Sequence, residues 1–541
     1  MLSLTQKFYK VLCSQEPEPV SPYIPSNDTG PSPPEKNCRG SLRSRQVPKI
    51  QKDPIPNYVN RLSLENIRRI FQFYVDEPSS DSALFSNLKP RPSSLTSTLS
   101  SSASPFILAS VCILWRHLAL SEPRLWSSLA VYRPKTSQIN TIRLWLERSQ
   151  KNPLSIYPLS VYLYEPATDP LSDHLAREEI LFLFHAHAHR IKHFYAKVSG
   201  GHPAESLYTL PTHKLARLES VELDLTDYEG DYDSAWHGFH DVPSLRRIAW
   251  DPSSVIHGVH DFAPWSTLTH VKLPYVADLT IDELLSNLIY AVNLVDLDLE
   301  MTMPVRVPPP SHKRIGIAYS GPAALEFLRR PPRVGCRDEK VSDGSALGRA
   351  MQVQANLELA MVATIDLPSL RSLRIHAHRR DAAPLLDRLK LPELKSLHII
   401  HSITDPIVPS TRYITALLER SGGLETLSIY DPNMSEDEIV HLTESPRLRV
   451  LRNLDLQVGP VGDNTIGPLI VRHGARHRLP KLTNLTLADC VTSEGLCYAM
   501  AASRRPVLKT FKFCVAEGTP LNDIVDLRKL ASRGGFSVYP Y

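Results

Sequence analysis

Leu424-Glu425-Thr426-Leu427-Ser428-Ile429 reads Leu-x-x-φ-x-φ, where φ is a large apolar residue, and it is one of ten segments of that form in 541 residues. Leu427 and Ile429 stand two apart, which puts both side chains on one face of a short strand, while Leu424 packs into the same layer where the strand begins. The other nine are Leu218-Val221-Leu223, Leu245-Ile248-Trp250, Leu268-Val271-Leu273, Leu294-Leu297-Leu299, Leu370-Leu373-Ile375, Leu394-Leu397-Ile399, Leu451-Leu454-Leu456, Leu482-Leu485-Leu487 and Leu508-Phe511-Phe513. Successive starts lie 27, 23, 26, 76, 24, 30, 27, 31 and 26 residues apart. Apart from one interval, this is the period of stacked strand-and-helix coils. One such coil cannot close a core, so stacking is obligatory.

Helical patterns fall between the strands, at Asp282 to Ile289 and at Tyr413 to Arg420, where Gly422-Gly423 stops the helix. The aliphatic run Leu154 to Leu163 and a weaker match at Ile191-Phe194 supply the first turns. The period resembles that of leucine-rich repeats and implies an α/β solenoid over residues 150–541, with parallel strands on the concave side and helices outside. The asparagine or cysteine ladder of regular members is mostly absent; Cys490, three residues after Leu487, fits it. An irregular solenoid is therefore expected. The 76-residue interval spans nearly three periods, room for two hidden or replaced repeats. Within it, residues 303–350 contain PVRVPPP, RRPPRV and KVSDGS, with no readable strand, and read as an inserted segment: a disordered loop, a partner-binding insertion or retained non-coding sequence.

Ahead of the repeats lies PFILASVCILWRHLALSEPRLWSSL, Pro105 to Leu129. Val111, Cys112, Trp115, Leu118 and Ala119 recur at helical steps, and Pro123-Arg124-Leu125-Trp126 stops the helix and sets two large apolar side chains beside it. Upstream, in LSLENIRRIFQFYV (Leu62 to Val75), Leu64, Ile67, Ile70, Phe71 and Tyr74 lie at helical spacing, with Ser63 placed to cap the N-terminus. Helices this short bury too little surface to fold alone, so the pattern calls for neighbouring chain or a partner.

Together these segments resemble the F-box module in the form common among fungal, basidiomycete-type families. The match spans residues 56–129, within a helical module of residues 55–130 whose Ser-rich loop covers 76–104. Leu62, Glu65, Ile67, Ile70 and Phe71 fit the family frame, whereas Ser63 replaces its usual proline and Asn66 a usual aliphatic. Val111-Cys112, Trp115-Arg116, Pro123 and Leu125-Trp126 fit the later half. The resemblance implies docking on a Skp-type adaptor of a cullin-RING ubiquitin ligase. Leu62, Ile67, Ile70, Phe71, Leu108, Val111, Trp115, Leu118, Pro123, Leu125 and Trp126 would form or support that face.

Composition bounds the rest. The formal charge of +4 gives no global field for nucleic acid or anionic membrane, and no apolar run approaches the roughly 20 residues of a membrane span. Seven dispersed cysteines without Cys-x-x-Cys indicate free thiols in a reducing compartment, hence the cytoplasm and/or nucleus. Residues 1–54, rich in Pro, Ser and charge, read as a disordered tail. No phosphate loop, nucleophile elbow or His-Glu-x-x-His occurs, so no catalytic residue, cofactor or metal is assigned. The one histidine cluster is His185, His187, His189 and His193; on a continuous helix three of these share a face and could hold a metal. The residue between the two φ positions should face solvent, giving Glu222, Ala249, Lys272, Asp298, Arg374, His398, Ser428, Asp455, Thr486 and Lys512. That mixed row suits a protein substrate better than nucleic acid. The expected role is a non-catalytic substrate-recognition adaptor; the rivals are a repeat scaffold without ligase function and a metal-dependent enzyme using the histidines.

Overall fold

The computed structural model describes residues 62–75, 105–132, 135–161, 170–198, 214–224, 239, 242–251, 263–273, 281–302, 364–378, 382–401, 410–459, 461–472, 478–515, 521–532 and 537–540. The tail 1–54, the loop 76–104 and the insertion 303–350 lie outside the described residues. The chain divides into two units, Met1–Leu62 and Ser63–Tyr541. Apart from Leu62, all that follows concerns the second.

Its strands are β1 (Ser128–Tyr132), β2 (Leu154–Val161), β3 (Ile191–Val198), β4 (Ser220–Asp224), β5 (Arg247–Asp251), β6 (His270–Leu273), β7 (Asp296–Thr302) and β8 (Ile365–Asp366). Then come β9 (Ser372–His378), β10 (Leu389–Lys390), β11 (Ser396–His401), β12 (Thr426–Asp431), β13 (Asn453–Val458), β14 (Asn484–Cys490), β15 (Thr510–Val515) and β16 (Ser537–Pro540). The short β8 and β10 pair with each other; the other fourteen form one sheet whose spatial order follows chain order. Every pairing is parallel. Parallel neighbours in chain order require a crossover between each pair of strands, and crossovers of the usual right hand return along one side, which predicts one buried and one solvent-facing sheet face. β9 shows the result, alternating half-exposed and buried residues along its whole length.

Two expectations shift. The sheet starts at Ser128, inside the segment assigned to the helical module and well before residue 150. Across the 76-residue interval β7 pairs directly with β9, so no further strand of the sheet sits between them.

Helices α1 (Leu64–Val75), α2 (Pro105–Val111), α3 (Ile113–Ser121), α4 (Thr136–Arg148), α5 (Pro170–Ala186), α6 (Ile281–Leu288) and α7 (Ala383–Leu386) precede α8 (Ser410–Arg420), α9 (Glu436–Glu444), α10 (Asp463–Ile466), α11 (Leu496–Arg504) and α12 (Leu521–Ser532). Between helix and strand recurs a φ-x-x-Leu turn, in which the leucine N–H donates to the carbonyl three residues earlier: Leu218 to Leu215, Leu245 to Val242, Leu370 to Leu367, Leu394 to Leu391, Leu482 to Leu479. Both apolar residues of each turn are buried, so each of these coils adds one core side chain to those of the Leu-x-x-φ-x-φ pattern. Gly422 and Gly423 serve close approach rather than a left-handed helix stop: a Cβ would meet the Pro392 carbonyl oxygen at 2.4 Å and Val450 Cγ2 at 2.6 Å.

Ser63 caps α1, its Oγ accepting from the Asn66 N–H at 3.2 Å. The helix expected through Val111 and Trp115 is two helices, broken at Cys112. That residue is extended, its Sγ accepts from the Trp115 N–H, and Arg116 Nε reaches back to the Ala109 carbonyl at 2.9 Å. Behind them, Trp126 donates through Nε1 to the Ala119 carbonyl at 2.8 Å. Phe106, Trp126 and Trp145 of α4 meet edge to face, with centroids 5.1 to 5.6 Å apart, and the Arg148 guanidinium lies 4.6 Å from the Trp126 ring. Trp126, wholly buried, therefore joins the helical segment to the first coil. Trp126→Ala is expected to cost about 3–5 kcal/mol, read as a lowered midpoint of chemical denaturation, with tryptophan fluorescence changing in the same transition.

Candidate functional site

Two surfaces present chemistry that the core does not consume. The first is formed by α1, α2 and α3. Of the side chains assigned there, Ile67, Phe71, Leu108, Trp115, Leu118, Leu125 and Trp126 are buried, with the Phe71 and Trp115 rings 4.9 Å apart, so they brace the segment. Leu62 and Pro123 are half-buried. Ile70 and Val111 are exposed, and beside them the sequence reading passed over Phe73, 78% exposed, Ile113, 73% exposed, and Ile107 and Leu114. The signal was there: these residues are the apolar ones left over once the buried stripe is drawn. With Leu64 and Leu120, eight exposed large apolar side chains lie on three short helices, which exceeds the scatter of single residues on ordinary surfaces.

The second surface is the half-exposed sheet face. Strand register aligns Glu222, Ala249, Lys272, Asp298, Arg374, His398, Ser428, Asp455, Thr486 and Lys512 in one row. Ala249 and Asp298 are buried instead of facing solvent, and the others of the row on described side chains are at least partly accessible. Arg374 Nη1 lies 3.2 Å from Asp298 Oδ2. Burial raises the Asp298 carboxyl above its ordinary range, against the opposing pull of Arg374 and Lys272, and burial likewise raises Asp455.

Histidines gather on the same face around β9 and β11. His398 Nε2 meets Ser396 Oγ at 2.9 Å, whereas His401, in register with buried Ala377, lies on the opposite face between Asp431 at 3.0 Å and the Tyr413 hydroxyl at 3.0 Å. Burial, with the Arg374 charge, pushes His376 and His398 down to about 4. His378 Nε2 lies 3.2 Å from Glu300 Oε1. Donor atoms of Glu300, His376 and His378 all fall within 4.8 Å of one another, the one such group among the described residues. Sequence reasoning missed it because Glu300 and His376 are 76 positions apart; His376-x-His378 on a strand was the available half of the signal.

The cluster that sequence did single out does not assemble. Helix α5 ends at Ala186, His187 lies in the turn after it, His189 falls in a short 3-10 helix, and His193 is on β3, where Nδ1 meets Ser220 Oγ at 2.7 Å. The shared helix face required continuous helix through His193.

No known family model matches the chain, and no curated protein does. Among solved structures, a chain in "Crystal structure of Rad7 and Elc1 complex in yeast" is similar at 15% identity and a TM-score of 0.34, over 66% of this chain and 77% of that one. Likeness of that degree carries no argument about function. Among the described residues no helix is long and apolar enough to cross a membrane.

His398, facing Arg374, Asp296 and Ser396, has a folded value of about 4 against an ordinary 6.5. The unfolded chain therefore binds more protons between those values, and stability that is full above 6.5 is lost as pH falls toward 4. Asp298, raised, acts in the opposite sense. In denaturant titrations from pH 7 downward, His398→Gln is expected to flatten the decline over that window; an unaltered slope contradicts the assignment.

Proposed function

We propose that this chain is a non-catalytic substrate-recognition adaptor. Its helical segment docks on a Skp-type subunit of a cullin-RING ubiquitin ligase, and the half-exposed sheet face holds a protein substrate. The observation that carries the reading is the exposed apolar set on α1 to α3, Ile70, Phe73, Ile107, Val111, Ile113 and Leu114, backed by buried Phe71 and Trp115. A braced helical face with uncovered apolar side chains is the form of a protein-docking surface. The mixed charges of the sheet row support a protein client over nucleic acid, which calls for a continuous basic stripe. Holding the client near the reactive centre raises its effective concentration there, so the chemistry belongs to other subunits. The setting is the cytoplasm or nucleus.

A repeat scaffold without ligase function is the second reading, favoured by Ser63 and Asn66. Ser63 serves as helix cap and Asn66 is exposed at the start of α1, where the family frame has a proline and an aliphatic. Binding to a purified Skp-type subunit separates the two. The full chain is expected to be retained at micromolar concentration, and Ile70→Asp and Phe73→Asp each to weaken binding by about tenfold or more with an unchanged denaturation midpoint. No retention of the unmodified chain, or equal affinity in both variants, overturns the adaptor reading.

A further inference from the structure

Glu300 of β7 sits directly opposite His376 of β9 in the sheet register, and His378 lies two residues on, along the same face. The intervening Leu299, Met301, Ile375 and Ala377 are buried beneath them. All three polar side chains are thus carried on rigid backbone in the interior of a fourteen-stranded sheet, where ligand positions are better fixed than on a loop. We propose that Glu300, His376 and His378 bind a divalent first-row transition ion through one carboxylate oxygen and two imidazole nitrogens.

Three observations carry this assignment. The donor set is borderline: two imidazoles with one carboxylate suit zinc and its neighbours, while calcium and magnesium call for oxygen alone. Geometry agrees as well. Two ligands about 2.0–2.1 Å from a tetrahedral ion lie roughly 3.3 Å from each other, and Glu300 Oε1 to His378 Nε2 is 3.2 Å. That pair already spans a tetrahedral edge. The His376 and His378 rings, with centroids 6.5 Å apart and planes tilted by 47°, have to turn inward, since the group's donor atoms spread up to 4.8 Å. Side-chain rotation of about 1–2 Å suffices on these bond lengths, and half-exposed side chains have room for it. Charge, finally, is not prohibitive: the nearby Arg374 guanidinium is balanced by Asp298 at 3.2 Å.

Three protein ligands leave a fourth position on the solvent side, open to water or to a histidine, cysteine or carboxylate of a bound protein. The site does not depend on docking by α1 to α3, and its test is separate from that reading.

Full-length protein stripped with chelator and dialysed against micromolar zinc is expected to retain one ion per chain. His376→Gln and His378→Gln should each weaken retention tenfold or more, and Glu300→Gln by less, with circular dichroism unchanged in all three. Cobalt in place of zinc should give the intense visible absorption of a tetrahedral ion, lost in the histidine variants. Absence of retained zinc in the unmodified chain overturns the proposal. So does undiminished retention in the His376→Gln/His378→Gln double variant, which would assign the ion to other residues, the His185 to His193 segment being the first to examine.

Discussion

Everything in this protein rests on neighbouring coils burying one another's apolar strand and turn residues. A single coil offers a leucine, two alternate strand residues and a turn residue, each with one flank bare; the next coil covers that flank. At Leu397, for instance, the strand neighbours are Leu373 and Leu427, and all three are fully buried. Continuity of this stack outranks continuity of sequence. It explains why β7 and β9 adjoin although 76 residues separate Asp296 from Ser372: a gap in the sheet would bare two apolar faces at once.

The same rule governs the amino-terminal end. Among the described residues β1 ends the sheet, and Trp145 of α4 packs on Trp126 and Phe106. The helical segment and the first coil thus form one hydrophobic unit, and most of the side chains that mark the segment in sequence serve that union. What remains on its surface, Ile70, Phe73, Val111 and Ile113 among others, is apolar area that the core does not consume. Point substitutions on that surface probe docking without opening the core, whereas deletion of the segment would do both.

The stack was legible because its two constraints, alternation along a strand and a fixed period, are local. Ten strands follow from them, and the register confirms the row from Glu222 to Lys512. The φ-x-x-Leu turn is equally local, visible as Val242-Pro243-Ser244-Leu245, Leu367-Pro368-Ser369-Leu370 and Leu391-Pro392-Glu393-Leu394. The break at Cys112 left no mark: neither glycine nor proline stands there, and the apolar steps run through it. Whether an apolar helix residue braces or docks is likewise a tertiary matter. Ile67 and Ile70 are alike in sequence and differ only in what covers them.

The sheet also sorts its polar chemistry along the strands. At the first strand position Ser372, Ser396, Thr426, Asn453, Asn484 and Thr510 pair in register, and Asn453 Nδ2 reaches Thr426 Oγ1 at 2.9 Å while Asn484 Nδ2 reaches Asn453 Oδ1 at 2.5 Å. Thr426, Asn453 and Asn484 thus satisfy one another in part, and Ser396 meets His398. Two positions on comes the row of mixed charge, partly neutralised within the face by the Asp298 and Arg374 pair. Two further on, Glu300, His376 and Tyr430 stand near the carboxyl ends of their strands, where fewer neighbours compete for each side chain. Along one face the strands thus pass from hydroxyls and amides bonded to one another to two histidines and a carboxylate at the far ends of β7 and β9.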